Sequence, residues 1–173
     1  MSRMKESDMK KNRASILAAA LIAVLAVFPA CSLKTVKTET LGNPEAMKRV
    51  LIAYDHSAFK AKAASEAASL LASEGFSVTL TDVGRLLEQD SEKFGAVVLM
   101  APLVAWRMDE NVRTFIAKTP ERGRIVLVTT AGGPDWKAGI EGVDAVTEAS
   151  VMENADTLAH TIAGKAKALI DEK

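Results

Sequence analysis

The stretch "YDHSAFKAK", Tyr54 to Lys62, closes an apolar run and sets an imidazole, a hydroxyl and an ammonium within five positions, at His56, Ser57 and Lys60. Where a buried strand turns into a helix, such groups and the free N–H groups of the helix start suit a phosphate oxygen. The same residues also suit a plain strand-to-helix loop with no ligand, and both readings stand. Further along, Trp106 and Trp136 are the only tryptophans and Tyr54 the only tyrosine, and each ends or follows an apolar run. Planar rings so placed either stack on a flat ring system or cap the exposed end of a core. Gly132 and Gly133, ahead of Pro134, mark a turn where backbone can approach a ligand closely, or an ordinary strand-to-loop turn.

Other chemistries lack their residues. A single cysteine and two histidines on separate elements, His56 and His160, supply no zinc site. Asp55 ends an apolar run, but a phosphoacceptor of the receiver type would follow the third strand, where the chain has Met100, Ala101 and Pro102. No Ser-His-Asp arrangement, Walker loop or G-x-G-x-x-G motif is present. Lysine plus arginine balance aspartate plus glutamate at 22 each, yet the first 30 residues hold five basic groups and two acidic ones. From Cys31 onward 17 basic face 20 acidic groups, a net charge of −3 with no basic cluster, which argues against a nucleic-acid groove.

The elements that must position these residues follow from hydrophobic patterning. "RVLIAY" (49–54), "AVVLMA" (96–101) and "IVLVTT" (125–130) are continuous apolar runs, as parallel strands covered on both faces require. "FSVTLTDV" (76–83) alternates and "VDAVTEA" (143–149) is short and polar, so both are expected at sheet edges. A helix is predicted over "KAKAASEAASLLAS", with Ala64, Ala67, Ala68 and Leu71 on one stripe and Gly75 at its end. Asp109 caps a second helix carrying Val112, Phe115 and Ile116. Ser150 and Glu153 form a capping box for a third, which presents Leu158, Ala159, Ile162 and Ala166. "GRLLEQDSEK" (84–93) reads as a turn or short helix. The alternation predicts one α/β domain, Lys48 to Lys173: a doubly wound, five-stranded parallel sheet of order 2-1-3-4-5, with ligands at the carboxyl edge.

Ahead of it, Lys10, Lys11 and Arg13 precede an uncharged run from Ala14 to Leu33. A basic start, an apolar stretch and small residues make an export signal over residues 1–31. The apolar stretch stops at Pro29, short of the ~20 residues that span a bilayer. Cys31 directly after Ala30 resembles a bacterial lipoprotein signal, in which that cysteine carries the lipid, although Phe28 and Pro29 depart from the usual lipobox. An uncleaved signal anchor and a plain buried or incidental cysteine are the other readings. "SLKTVKTETLGNPEAM" (32–47) is polar and aperiodic, as a flexible tether would be. This places the domain outside the cytoplasm, in the cell envelope and attached to its membrane.

The segments "VLIAYDHSAFKAKAASEAASLLASEGFSVTLTDV", "GAVVLMAPLVAWRMDENVRTFI" and "RIVLVTTAGGPDW" together resemble the flavodoxin-like family, especially the short flavodoxin domains akin to menaquinone-dependent protoporphyrinogen dehydrogenase. "APLVAWRM" (101–108) matches the family's "(G/S)-P-(I/V)-Y-x-G-x" segment in position, with Val104 where the aromatic stands. The resemblance implies FMN as cofactor, with Ser57, Lys60 and His56 at its phosphate, Trp106 and Trp136 at the ring faces, and Pro102, Thr130, Gly132 and Gly133 around them. It also implies electron transfer or oxidoreductase chemistry with a redox partner or a quinone near the membrane. The family's phosphate loop resembles S/T-x-x-G-x-T, and here Phe59 takes the glycine position and Ala61 the threonine. That departure supports the alternative, a flavin-free binding or scaffold lipoprotein of the same fold.

Overall fold

A computed structural model of the chain describes residues 36–104, 107–131 and 140–171. Seven strands, β1 (Glu39–Leu41), β2 (Arg49–Tyr54), β3 (Ser77–Asp82), β4 (Ala96–Val104), β5 (Arg107–Met108), β6 (Ile125–Ala131) and β7 (Asp144–Ala149), alternate with helices α1 (Ala58–Ser73), α2 (Glu110–Lys118) and α3 (Ala155–Asp171). The strands lie in the order β1-β3-β2-β4-β6-β7, with β5 folded back on the end of β4. All neighbours in the main sheet are parallel except β1, which runs antiparallel to β3. The five parallel strands therefore keep the 2-1-3-4-5 order expected from the sequence.

Successive residues of β2 point to opposite faces and both faces are dry. Val50, Ile52 and Tyr54 join the core beneath α1 and α3, whereas Leu51 and Ala53 join the one beneath α2. On the first face, Ala63, Ala64, Ala67 and Ala68 of α1 share a core with Ala155, Ala159 and Ala166 of α3. Such short side chains let the two helices and the sheet approach closely. On the second face, Val112, Phe115 and Ile116 of α2 pack with Val83 and Leu86. Asp109 caps α2 as expected, accepting from the amides of Asn111 and Val112 at 2.8 and 3.4 Å.

Helix α1 ends in a Schellman motif. Phe76 donates its N–H to the Leu71 carbonyl and Gly75 donates to Ala72, both at 3.1 Å, with Gly75 at φ +88°. Phe76 and Leu71 are both buried in the same core, the apolar contact that accompanies this cap.

Several expectations are corrected. Part of the stretch read as a tether, from Val36 onward, is bonded to the sheet. Glu39, Thr40 and Leu41 pair with Leu80, Thr79 and Val78, the Thr38 and Thr81 hydroxyls meet at 2.9 Å, and Val36 donates its N–H to Asp82 at 2.9 Å. Three residues are too few for a visible period, so β1 leaves no mark on the sequence. Its presence moves β3 away from the edge, and Ser77 and Thr81 are buried instead of solvated. Residues 83–88 and 91–93 form short 3-10 helices, in keeping with the turn or short helix read over 84–93. The Ser150–Glu153 pair does not open the last helix, because a 3-10 turn, Met152–Asn154, comes before Ala155 with Val151 at its cap position. The β7 strand does lie at the edge, half-exposed along most of its length.

Gly42 turns the chain from β1 toward β2 at φ +82°, and a Cβ there would lie 2.2 Å from the Phe76 carbonyl oxygen, whereas one at Gly75 would meet nothing within 4 Å. Gly75→Ala is expected to cost about 1 kcal/mol, for its backbone conformation alone. Gly42→Ala should cost at least ~2 kcal/mol, because the clash is with backbone that cannot swing aside. Urea denaturation of the two variants measures the difference; equal losses would show that β1 adjusts freely.

Candidate functional site

Parallel pairing brings the carboxyl ends of β2, β4 and β6 side by side, with Tyr54 opposite Met100 and Pro102 opposite Thr130. At the end of β2 the chain passes Asp55 and exposed His56 to Ser57, the N-cap of α1. Ser57 Oγ accepts from the Lys60 amide at 3.3 Å, as cap residues do. Asp55 folds over the same turn: its Oδ1 accepts from the Ser57 amide at 3.0 Å, and its Oδ2 lies 2.5 Å from Lys60 Nζ.

Burial explains why that last contact matters. The Lys60 side chain is 4 % exposed and that of Asp55 23 %. Among the described residues Lys60 is the one charged residue in the buried set. Burial alone pushes the Asp55 carboxyl up, but the Lys60 ammonium and the Ser57 N–H outweigh it and hold the group below its usual range. The lysine side chain reaches this place because helical side chains lean back toward the N-terminus, which carries the ammonium from the first turn of α1 to the strand end.

Phe59 is 5 % exposed and packs in the core with Tyr54, itself 7 % exposed. Burial first, then the charges of Glu39 and Asp82, push the Tyr54 hydroxyl above its usual range. Tyr54 therefore caps the core at the end of β2 and presents no free ring face. Phe59 anchors the first turn of α1 at the position where the flavodoxin-like phosphate loop has glycine.

Pro102 sits where β4 pairs with β6 alone, since the pairing of β4 with β2 ends at Met100. Its missing N–H is tolerated there. Beyond it β4 turns back as β5, Leu103 facing Met108 and Val104 facing Arg107. Thr130 is 9 % exposed, between Pro102 and Glu148 of β7. Glu148 Oε1 accepts from the Ala149 amide at 3.0 Å and from Asn154 Nδ2 at 2.9 Å, joining the end of β7 to the turn before α3. The structure thus gathers His56, Ser57, Lys60, Pro102 and Thr130 at one edge. Cys31, Trp106, Gly132, Gly133 and Trp136 lie outside the described residues. The sequence reading passed over Asp55 as partner of Lys60, and its signal was slight: an acid five residues before a lysine, across a strand end and a helix start.

Among the described residues no group of acids, histidines and cysteines is arranged to hold a metal ion. A cavity of about 340 Å³ opens at the opposite, amino edge between Ser91, Thr119 and Arg124. Arg124 is already paired there with Glu121 at 2.6 Å.

Strand order, parallel pairing and helices on both faces define a flavodoxin-like α/β fold. The chain is similar to a solved oxidoreductase from Corynebacterium diphtheriae, at 12% identity and a TM-score of 0.50, over 74% of this chain and 99% of that one. It is also similar to a flavodoxin from the domain Archaea, at 10% identity and a TM-score of 0.51, over 71% and 99% of the two chains. At such identities the likeness is one of fold. No protein-family model and no curated protein matches the chain.

Removing either half of the ion pair has unequal cost. Asp55→Ala strands a buried ammonium and should destabilise the domain by about 3 kcal/mol, whereas Lys60→Met leaves a carboxylate that still reaches water and the Ser57 amide, at about 1 kcal/mol. Because the folded carboxyl titrates below its unfolded value, the pair's contribution is present above about pH 5 and fades as acid protonates Asp55. Melting curves from pH 7 downward should therefore fall more steeply for wild type than for Asp55→Asn; parallel curves would count against the pair.

Proposed function

We propose that this chain is a flavodoxin-like binding module tethered to a bacterial envelope membrane, with its first loop closed to a flavin phosphate. The observation that carries the reading is the buried pair of Lys60 with Asp55 at 2.5 Å. Among the described residues the one buried ammonium at this edge already has its counter-ion, and the Ser57 amide is taken by the same carboxylate. The pair is nearly neutral as a whole, so a phosphate at ~4 Å loses most of the attraction of about 4 kcal/mol per unit charge that an unpaired ammonium would give at an effective dielectric of 20. One added charge-assisted hydrogen bond returns only about 1.5–3 kcal/mol. Phe59, held in the core, further keeps the backbone from wrapping an anion as a glycine would allow. The residues of this loop do not fit the phosphate of FMN.

The tether reading rests on Lys10, Lys11, Arg13, the apolar run and Cys31. Lipid on Cys31 would hold the domain at a membrane surface, where a module without redox cofactor acts by binding other envelope components. The competing reading, FMN-dependent electron transfer to a redox partner or a quinone, draws on Trp106, Trp136, Gly132 and Gly133.

Titration of the purified full chain with FMN distinguishes the two. Flavin fluorescence is expected to show no saturable quenching up to millimolar concentration. A yellow preparation, or binding in the micromolar range, on the order of −8 kcal/mol, would restore the electron-transfer reading. Separately, Cys31→Ala should move the protein from the membrane to the soluble fraction and remove the mass of the lipid. Unchanged mass and location would end the lipid anchor.

A further inference from the structure

In the loop between β2 and α1, an acid of the chain itself holds the donors that an anion would need. We infer that Asp55 acts as a resident anion, and that this single side chain decides whether the loop accepts or excludes phosphate. The inference rests on the reading that the loop is closed to a flavin phosphate, and names the residue that closes it.

The contacts of Asp55 have the chemistry of an anion site. One oxygen accepts from a backbone N–H at the helix start, the Ser57 amide at 3.0 Å. The other accepts from a lysine ammonium at 2.5 Å. A backbone amide at the positive end of a helix and a lysine charge are the donors that hold phosphate oxygens elsewhere. Here they are filled from within, by a residue only five positions before Lys60 in sequence. The ammonium has no other acid bonded to it among the described residues, and its side chain is 4 % exposed, so Asp55 supplies its counter-charge. Neutralising Asp55 while keeping its shape leaves a buried, uncompensated cation beside exposed Ala58 and half-exposed Ser57, the arrangement that draws an external anion. Phe59 limits how far backbone can wrap that anion, so a small one is favoured over a large one.

The test uses the 15N-labelled full chain and inorganic phosphate at constant ionic strength. In Asp55→Asn, whose amide oxygen can still accept from the Ser57 N–H, the amides of Ser57, Ala58 and Phe59 are expected to shift saturably. Binding should be at least about tenfold tighter than any shift in wild type. Adding Lys60→Met to Asp55→Asn should abolish the response. Asp55→Ser, with a hydroxyl in place of the carboxylate, gives a second route to the same state, and circular dichroism verifies that each variant is folded. A folded Asp55→Asn or Asp55→Ser protein without phosphate-dependent shifts overturns the inference. So does a wild type that saturates at the same concentration, or a double variant that binds as well as the single one.

A parallel titration of wild type with FMN and with riboflavin separates this from the reading beneath it. Equal binding of both flavins would end the flavin-free reading yet support the exclusion of phosphate by Asp55. Tighter binding of FMN than of riboflavin would overturn both. No binding of either, with no phosphate response in the folded variants, would overturn the role of Asp55 alone.

Discussion

A parallel sheet is stable only if both of its faces are dry, and this constraint orders nearly everything in the domain. Residues 50–53 of β2 are fully buried, alternate ones facing the α1–α3 layer and the α2 layer. Each strand must then leave the sheet at its carboxyl end and return through a covering element. That is why His56, Ser57, Lys60, Pro102 and Thr130, far apart in sequence, come to one edge. The alanines of α1 and α3 serve the same constraint, since a thin helical layer can seal one face with little side-chain volume.

The buried ion pair is the exception to this apolar economy. A lysine at 4 % side-chain exposure loses most of its hydration, and its attraction to one carboxylate offsets that loss only with good geometry. The exposed pairs that tie α3 to the rest of the domain, Lys62 with Asp156, Lys167 with Glu74, Lys165 with Asp144 and Lys48 with Asp171, are of another kind. Each holds solvated charges and adds little by itself. The Asp55–Lys60 pair is thus better understood as fixing the loop's conformation and charge than as adding to stability.

The central strands were legible because two-sided burial writes continuous apolar runs, and the α1 stripe and the Asp109 cap were legible because helix periodicity and capping are local rules. What escaped was non-local. Glu39–Leu41 becomes a strand only because β3 offers an open edge, and nothing in "ETL" announces it. Ser77 and Thr81 looked like a wet face because hydroxyls are read as polar, yet both are buried, and Thr81 meets the hydroxyl of Thr38. The Ser150–Glu153 spacing matched a capping box, but Asn154 and Glu148 tie that segment to β7 and the helix starts later. At the site, the lysine was visible and its partner was not. An i, i+5 pair bridging a strand end and a helix start belongs to neither periodic pattern.

The short β1 strand also has a mechanical consequence. Any pull arriving along the chain from its N-terminal side meets the Val36–Asp82 bond, the Thr38–Thr81 hydroxyls and three residues of antiparallel ladder before it reaches β2. Those few bonds form a fuse in series with the sheet. Were they to give way, residues 36–48 would pay out about 40 Å of extended chain while β2, β3 and β4 stayed paired. The stretch of chain ahead of β2 therefore has two lengths, one held by these bonds and one released from them.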